Sequence, residues 1–169
     1  MKIPAEALVS TTADQLNPGD FALSDEGYWL HAIQDPNDSD VTLITHLGCN
    51  HQDQRQRLGN SYLPGKLQIL RLSNGYKLIP KVDFNELTRD FPDPGSLVLY
   101  DSPLIYSNRP DGWDGTPIWA SLDGTTTTST PRVGSYYPTK TQTWTMHLKH
   151  PDGQVDSEPL FVAGKVKAL

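Results

Sequence analysis

Three side chains able to bind a metal, His46, Cys49 and His51, fall within six residues in the stretch HLGCNH. A zinc site needs several such ligands in tetrahedral reach, and the other histidines, His31, His147 and His150, stand singly along the chain. A blue-copper set would need a further Cys-to-His spacing and a methionine, for which Met146 is the candidate beyond the first residue. The stretch therefore reads as a strand end running into a polar loop, and neither metal nor other cofactor is expected. Cys49 offers a second chemistry, because a helix starting in NHQDQRQRL would lower its thiol pKa, with His31 or His147 as base. That segment has one apolar anchor, Leu58, and no face to bury as a helix. A Cys49-dependent hydrolase is the most distant reading, and the chain is read as non-enzymatic.

Binding chemistry is better represented. NRPDGWDGTP, residues 108 to 117, sets Asp111 and Asp114 around Trp113. An indole can stack on a sugar face while flanking carboxylates accept its hydroxyl protons. The same acids suit calcium, but the alternating acidic spacing of a calcium loop is absent. The competing reading is a double Asp-Gly turn whose tryptophan folds back on the core. Tyrosines supply the other candidates: Tyr62 in RLGNSYLPGK and Tyr136 with Tyr137 in RVGSYYPTK. These phrases can be turns, with glycine at the bend, tyrosine flat over a strand end and proline stiffening the exit, or equivalent binding surfaces.

The elements that must position these residues are mostly strands. QTWTMHLK alternates cleanly, with Trp144, Met146 and Leu148 on one face and Thr143, Thr145 and His147 on the other. Further strands are expected at 21–24, 28–33, 41–47, 66–72, 96–100, 117–121 and 159–166. Turn pairs lie between them at Glu26-Gly27, Asn74-Gly75, Asp111-Gly112, Asp114-Gly115, Asp123-Gly124 and Asp152-Gly153. One short helix is expected near 84–90, where Asp83 can cap, Glu86 can return the bond and Pro92 stops the run. A weaker helical turn fits between Thr12 and Pro18. DGTTTTST, from 123 to 130, reads as an exposed polar loop.

Composition agrees with a turn-rich β protein: 36% apolar and 20% charged residues, with 13 Gly and 14 Pro in 169 residues. A net charge of −6, with no basic stripe, argues against nucleic acid. The apolar runs are too short for a membrane span, and the first residues lack the apolar core of a secretory signal. With a single cysteine, cytoplasmic synthesis is expected, a location compatible with later residence in a virion.

The chain also matches itself. Asn17-Pro18-Gly19-Asp20-Phe21 aligns with Asp93-Pro94-Gly95-Ser96-Leu97 at an offset of 76 residues (94 − 18), and the strand from 41 to 48 falls on 117 to 124. Arg57, Gly59, Tyr62, Pro64 and Lys66 then align with Arg132, Gly134, Tyr136, Pro138 and Lys140. The expectation is an all-β fold of two related small barrel- or sandwich-like units from tandem duplication, residues 1–84 with an N-terminal extension and 85–169.

GSLVLYDS followed by GTPIWAS resembles the repeating unit of bulb-type mannose-binding lectins, which implies a β-prism hairpin. Laid on that family's Q-x-D-x-N-x-V-x-Y sugar motif, this chain keeps Val98 and Tyr100. It has Pro92, Pro94 and Ser96 at the polar positions, so the family's site is not carried over. The functional expectation is a non-catalytic binding or assembly module, engaging a protein partner or itself, as an accessory subunit of a larger particle such as a phage virion. A carbohydrate-binding, lectin-like protein that takes a glycan is the alternative.

Overall fold

The computed structural model describes residues 3–49, 60–61, 65–108 and 117–164, which are almost entirely β. Strands β1 (Leu8–Thr12), β2 (Phe21–Leu23), β3 (Tyr28–Asp35), β4 (Asp38–Cys49), β5 (Asn60–Ser61) and β6 (Gln68–Leu72) form one sheet, in the order β1-β6-β2-β3-β4-β5. A second sheet takes β8 (Leu97–Leu99), β9 (Pro103–Asn108), β10 (Pro117–Ser121), β11 (Thr126–Thr127) and β12 (Thr139–Thr141), in the order β11-β10-β9-β8-β12. The third places β13 (Thr143–Lys149) between β14 (Phe161–Gly164) and β7 (Lys77–Val82). The described pairings are all antiparallel.

The Pro-Gly turns before β2 and β8 share one hydrogen-bond scheme. Gly19 N–H donates to the Ala32 carbonyl (2.8 Å), Asp20 N–H to Asn17 (2.9 Å), and Ala32 N–H returns to Asp20 (2.9 Å). At the second turn Gly95 donates to Tyr106 (2.7 Å), Ser96 to Asp93 (3.0 Å), and Tyr106 returns to Ser96 (3.0 Å). Gly19 and Gly95 have φ of +94° and +89°, which only glycine adopts without strain. The glycines of the four described acid- or Asn-Gly turn pairs also have positive φ.

β13 alternates as its sequence demands: Trp144, Met146 and Leu148 enter the main core. His147, on the opposite face, is also covered, being 5% exposed. The segment around Asp156 lies over it, and the Asp156 carbonyl takes its Nδ1–H (2.9 Å). That core draws Phe21, Trp29 and Leu47 from the first half and Leu97, Ile105 and Phe161 from the second. Trp144 Nε1 donates to the Gly95 carbonyl (2.9 Å), which ties the third sheet to the second Pro-Gly turn.

The helix expected near 84–90 is a single 3-10 turn, Phe84–Glu86. Asp83 caps it by accepting from the Asn85 N–H (2.9 Å), while the Glu86 N–H donates to the Asp83 carbonyl (3.1 Å). Propagation stops because Leu87 is extended, and the Thr88 backbone exchanges two bonds of 2.9 Å with Lys140 of β12. The earlier helical turn is likewise 3-10, Ala13–Gln15.

DGTTTTST is not simply an exposed loop. Gly124 is buried at the seam between the first and second sheets, where its carbonyl accepts from Gln34 N–H (2.9 Å) and Thr126 Oγ1 donates to the Gln34 carbonyl (2.8 Å). Here Gly124 meets Gly19 backbone to backbone: a Cβ on Gly124 would fall 2.1 Å from Gly19 N. Ile33 and Leu43 pack against Ile118 and Ala120 across the same seam.

Candidate functional site

The second sheet carries an aromatic array built from four segments. Tyr106 of β9 and Trp119 of β10 are register partners, with ring centroids 4.5 Å apart. Both are buried, at 4% and 1% exposure, and form the floor. Phe91 stands edge-on to Tyr106 (5.6 Å), Trp119 (6.3 Å) and Tyr137 (5.4 Å), yet remains 45% exposed. Arg132 lies over the Tyr137 ring, its guanidinium carbon 3.9 Å from the centroid, and donates through Nη2 to the Tyr137 hydroxyl (3.2 Å). Burial pushes the Tyr106 hydroxyl above its usual pKa, and the nearby Asp93 charge adds to the rise.

Lys140 of β12 fixes the position of Phe91. Its side chain is buried, and Nζ donates to the Phe91 carbonyl (2.8 Å) while meeting the Asp90 carboxylate at 3.2 Å. Asp90 is held below the usual carboxylate range mainly by a hydrogen bond from the Thr88 side chain, with Lys140 contributing less. A lysine buried under an exposed phenylalanine spends its charge on holding backbone in place.

Of the tyrosines named from sequence, Tyr137 joins this array, whereas Tyr136 is 70% exposed. Tyr136 closes a turn with Val133 through backbone bonds of 3.0 and 3.2 Å, with Gly134 at φ +63°. It therefore projects outward instead of lying over a strand end, and Tyr137 is the ring that packs. Tyr62, Asp111, Trp113 and Asp114 lie outside the described residues; the last three belong to the connection between β9 and β10, whose bases pair at Asn108 and Pro117.

The metal-capable cluster is only partly described. His46 lies within β4 with its ring edge-on to Tyr28 (5.8 Å), Cys49 ends that strand, and His51 falls outside the described residues. Among the described residues no three His, Cys, Asp or Glu side chains converge as a metal site would require, and no helix is long and apolar enough to cross a membrane. The two histidines considered as bases for Cys49 are both buried. His31 is fully buried and stacked on Phe21 at 4.4 Å. Desolvation lowers its pKa from 6.5 to about 4, partly opposed by the Leu122 backbone and the Asp123 charge. His147 is bonded to Thr145 and Asp156.

Two concavities were not foreseen. One, about 490 Å³, lies at the seam between halves, lined by Asp20, Phe21, Tyr76, Lys77 and Asp123 among others. The Asp123 carboxyl there is lowered chiefly by the Ser121 hydroxyl, a bond that belongs to the turn itself. The other, a groove of about 600 Å³, runs along β7 and β13 past Phe84, Thr145 and His147. No protein-family model matches the chain, and neither does any curated protein or solved structure.

Proposed function

We propose that this chain is a non-catalytic binding or assembly module. It docks a protein partner, or further copies of itself, through the aromatic surface around Tyr137, as a subunit of a larger particle such as a phage virion. The carrying observation is the exposure gradient in the array: a packed Tyr106 and Trp119 floor beneath a half-exposed Phe91, next to an arginine-stacked Tyr137. Rigid aromatics and arginine give large contact area at low entropic cost, and interface centres are enriched in them. Exposed Val133 and Tyr136 extend the apolar surface along the neighbouring turn.

Light scattering with size-exclusion chromatography, and co-purification from the native particle, test this reading. Phe91→Ala combined with Tyr136→Ala leaves the fold intact and weakens association at least about tenfold, as expected for hot-spot truncation. An unchanged association constant in that folded variant defeats it. The competing reading is glycan binding by Trp113 with Asp111 and Asp114. A glycan array showing binding that Trp113→Ala abolishes would favour that instead.

A further inference from the structure

Thr145 and His147 are two residues apart on β13 and so share one strand face, which opens on the groove along β7. The Asp156 carbonyl can only accept, so it takes the Nδ1–H of His147 at 2.9 Å. That sets the tautomer and leaves the Nε2 lone pair directed at Thr145 Oγ1, 3.0 Å away; the hydroxyl's other acceptor, the Lys81 carbonyl, is more distant at 3.5 Å, so the shorter bond is the one to His147. Asp156 is itself anchored, because its Oδ1 lies 3.1 Å from His150 Nε2. His147 is 5% exposed, so its ring is locked, while Thr145 is half-buried on the groove wall. A hydroxyl within hydrogen-bond reach of an imidazole, which is oriented in turn by a third group, is the arrangement that activates a nucleophile. The groove is also lined by Lys81 and by Phe84, 75% exposed, whose ring is a platform for an aromatic leaving group.

We propose that Thr145 is a base-activated hydroxyl that accepts a small acyl group from an activated aryl ester, separate from the aromatic surface. Thr145 Oγ1 forms a bond to the acyl carbon as the bond from that carbon to the aryl oxygen breaks. The hydroxyl proton passes to His147 Nε2 and then to water, and the phenolate departs. The probe is p-nitrophenyl acetate, read by release of p-nitrophenolate and by mass mapping of the acetylated peptide. One acetyl group on Thr145 is expected. It should be lost in Thr145→Val, kept in Thr145→Ser, and slowed at least about a hundredfold in His147→Gln, in line with general-base contributions. Acetylation confined to lysines in the parent protein overturns the proposal. So does labelling of Thr145 that persists at the parental rate in folded His147→Gln.

Discussion

His31 is the residue with the clearest thermodynamic signature. Stacked on Phe21 and sealed from water, it takes a proton in the folded state only near pH 4, against 6.5 for a free imidazole. Between those values the unfolded chain holds more protons, so stability rises with pH across the window. The loss starts as pH falls through 6.5, levels off below about 4, and totals about 3 kcal/mol. Urea denaturation at pH 7 and pH 4.5 checks this: His31→Phe, which keeps an aromatic ring against Phe21, should flatten the difference. An equal slope in that variant would place the acid sensitivity elsewhere. Little of this was legible beforehand, since a histidine inside YWLHAI carries no mark of whether its ring meets solvent or another ring. Tyr136 and Tyr137 make the same point: adjacent identical residues differ in role because the turn at Gly134 sends one outward and Phe91 receives the other.

Strands were far easier to read than sites. The alternation in β13 announces itself because a half-buried strand leaves a period of two, and the runs of β2, β3, β4, β8 and β10 because strands buried on both faces read as short continuous apolar stretches. The expected strands leave out β1, β7, β9 and the short β5, β11 and β12: Pro80 interrupts β7 and Pro103 opens β9, while two- and three-residue strands carry too few residues to show a period. The self-alignment needs a change of register. It set Lys66 on Lys140, yet Arg71 pairs with Ala22 of β2 as Lys140 pairs with Val98 of β8. The cause is that β6 serves β1 and β2 together, whereas β12 and β13 divide those tasks on either side of Gln142. With that shift, β6-β2-β3-β4-β5 and β12-β8-β9-β10 with β11 follow the same order, and the shared Pro-Gly bonding supports tandem duplication as their proposed origin. The turn-to-turn contact at the seam is the element most sensitive to change. Gly124→Ala forces a Cβ into the backbone of Pro18 and Gly19 at a φ of +84°, and should cost about 3 kcal/mol or more in chemical denaturation. A shift below about 1 kcal/mol would mean the seam is loosely packed.

At the scale of the whole molecule, the main core belongs to neither half alone. Phe21, Trp29 and Leu47 share it with Trp144, Met146 and Phe161, and β7, which precedes the division after Phe84, pairs with β13 beyond it. Residues 1–84 or 85–169 expressed separately should therefore lack cooperative unfolding, and mixing them should restore a sigmoidal transition. A cooperative transition in either fragment alone would show that it folds independently. The aromatic array was hard to foresee for a related reason: Phe91 and Tyr137 are 46 positions apart (137 − 91), with Tyr106 and Trp119 between them, and the pairing of β9 with β10 and of Thr88 with Lys140 gathers them. The contact between Gly19 and Gly124 has one more consequence. Two positions separated by 105 residues (124 − 19) each exclude a side chain, Gly19 because of the Asp123 backbone and Gly124 because of the Pro18 and Gly19 backbone, so both glycines are required as long as the two turns meet. A Pro-Gly followed at about that interval by a lone Asp-Gly, each leading into a short strand, is thus a fingerprint by which distant kin of this chain can be sought when overall likeness has faded.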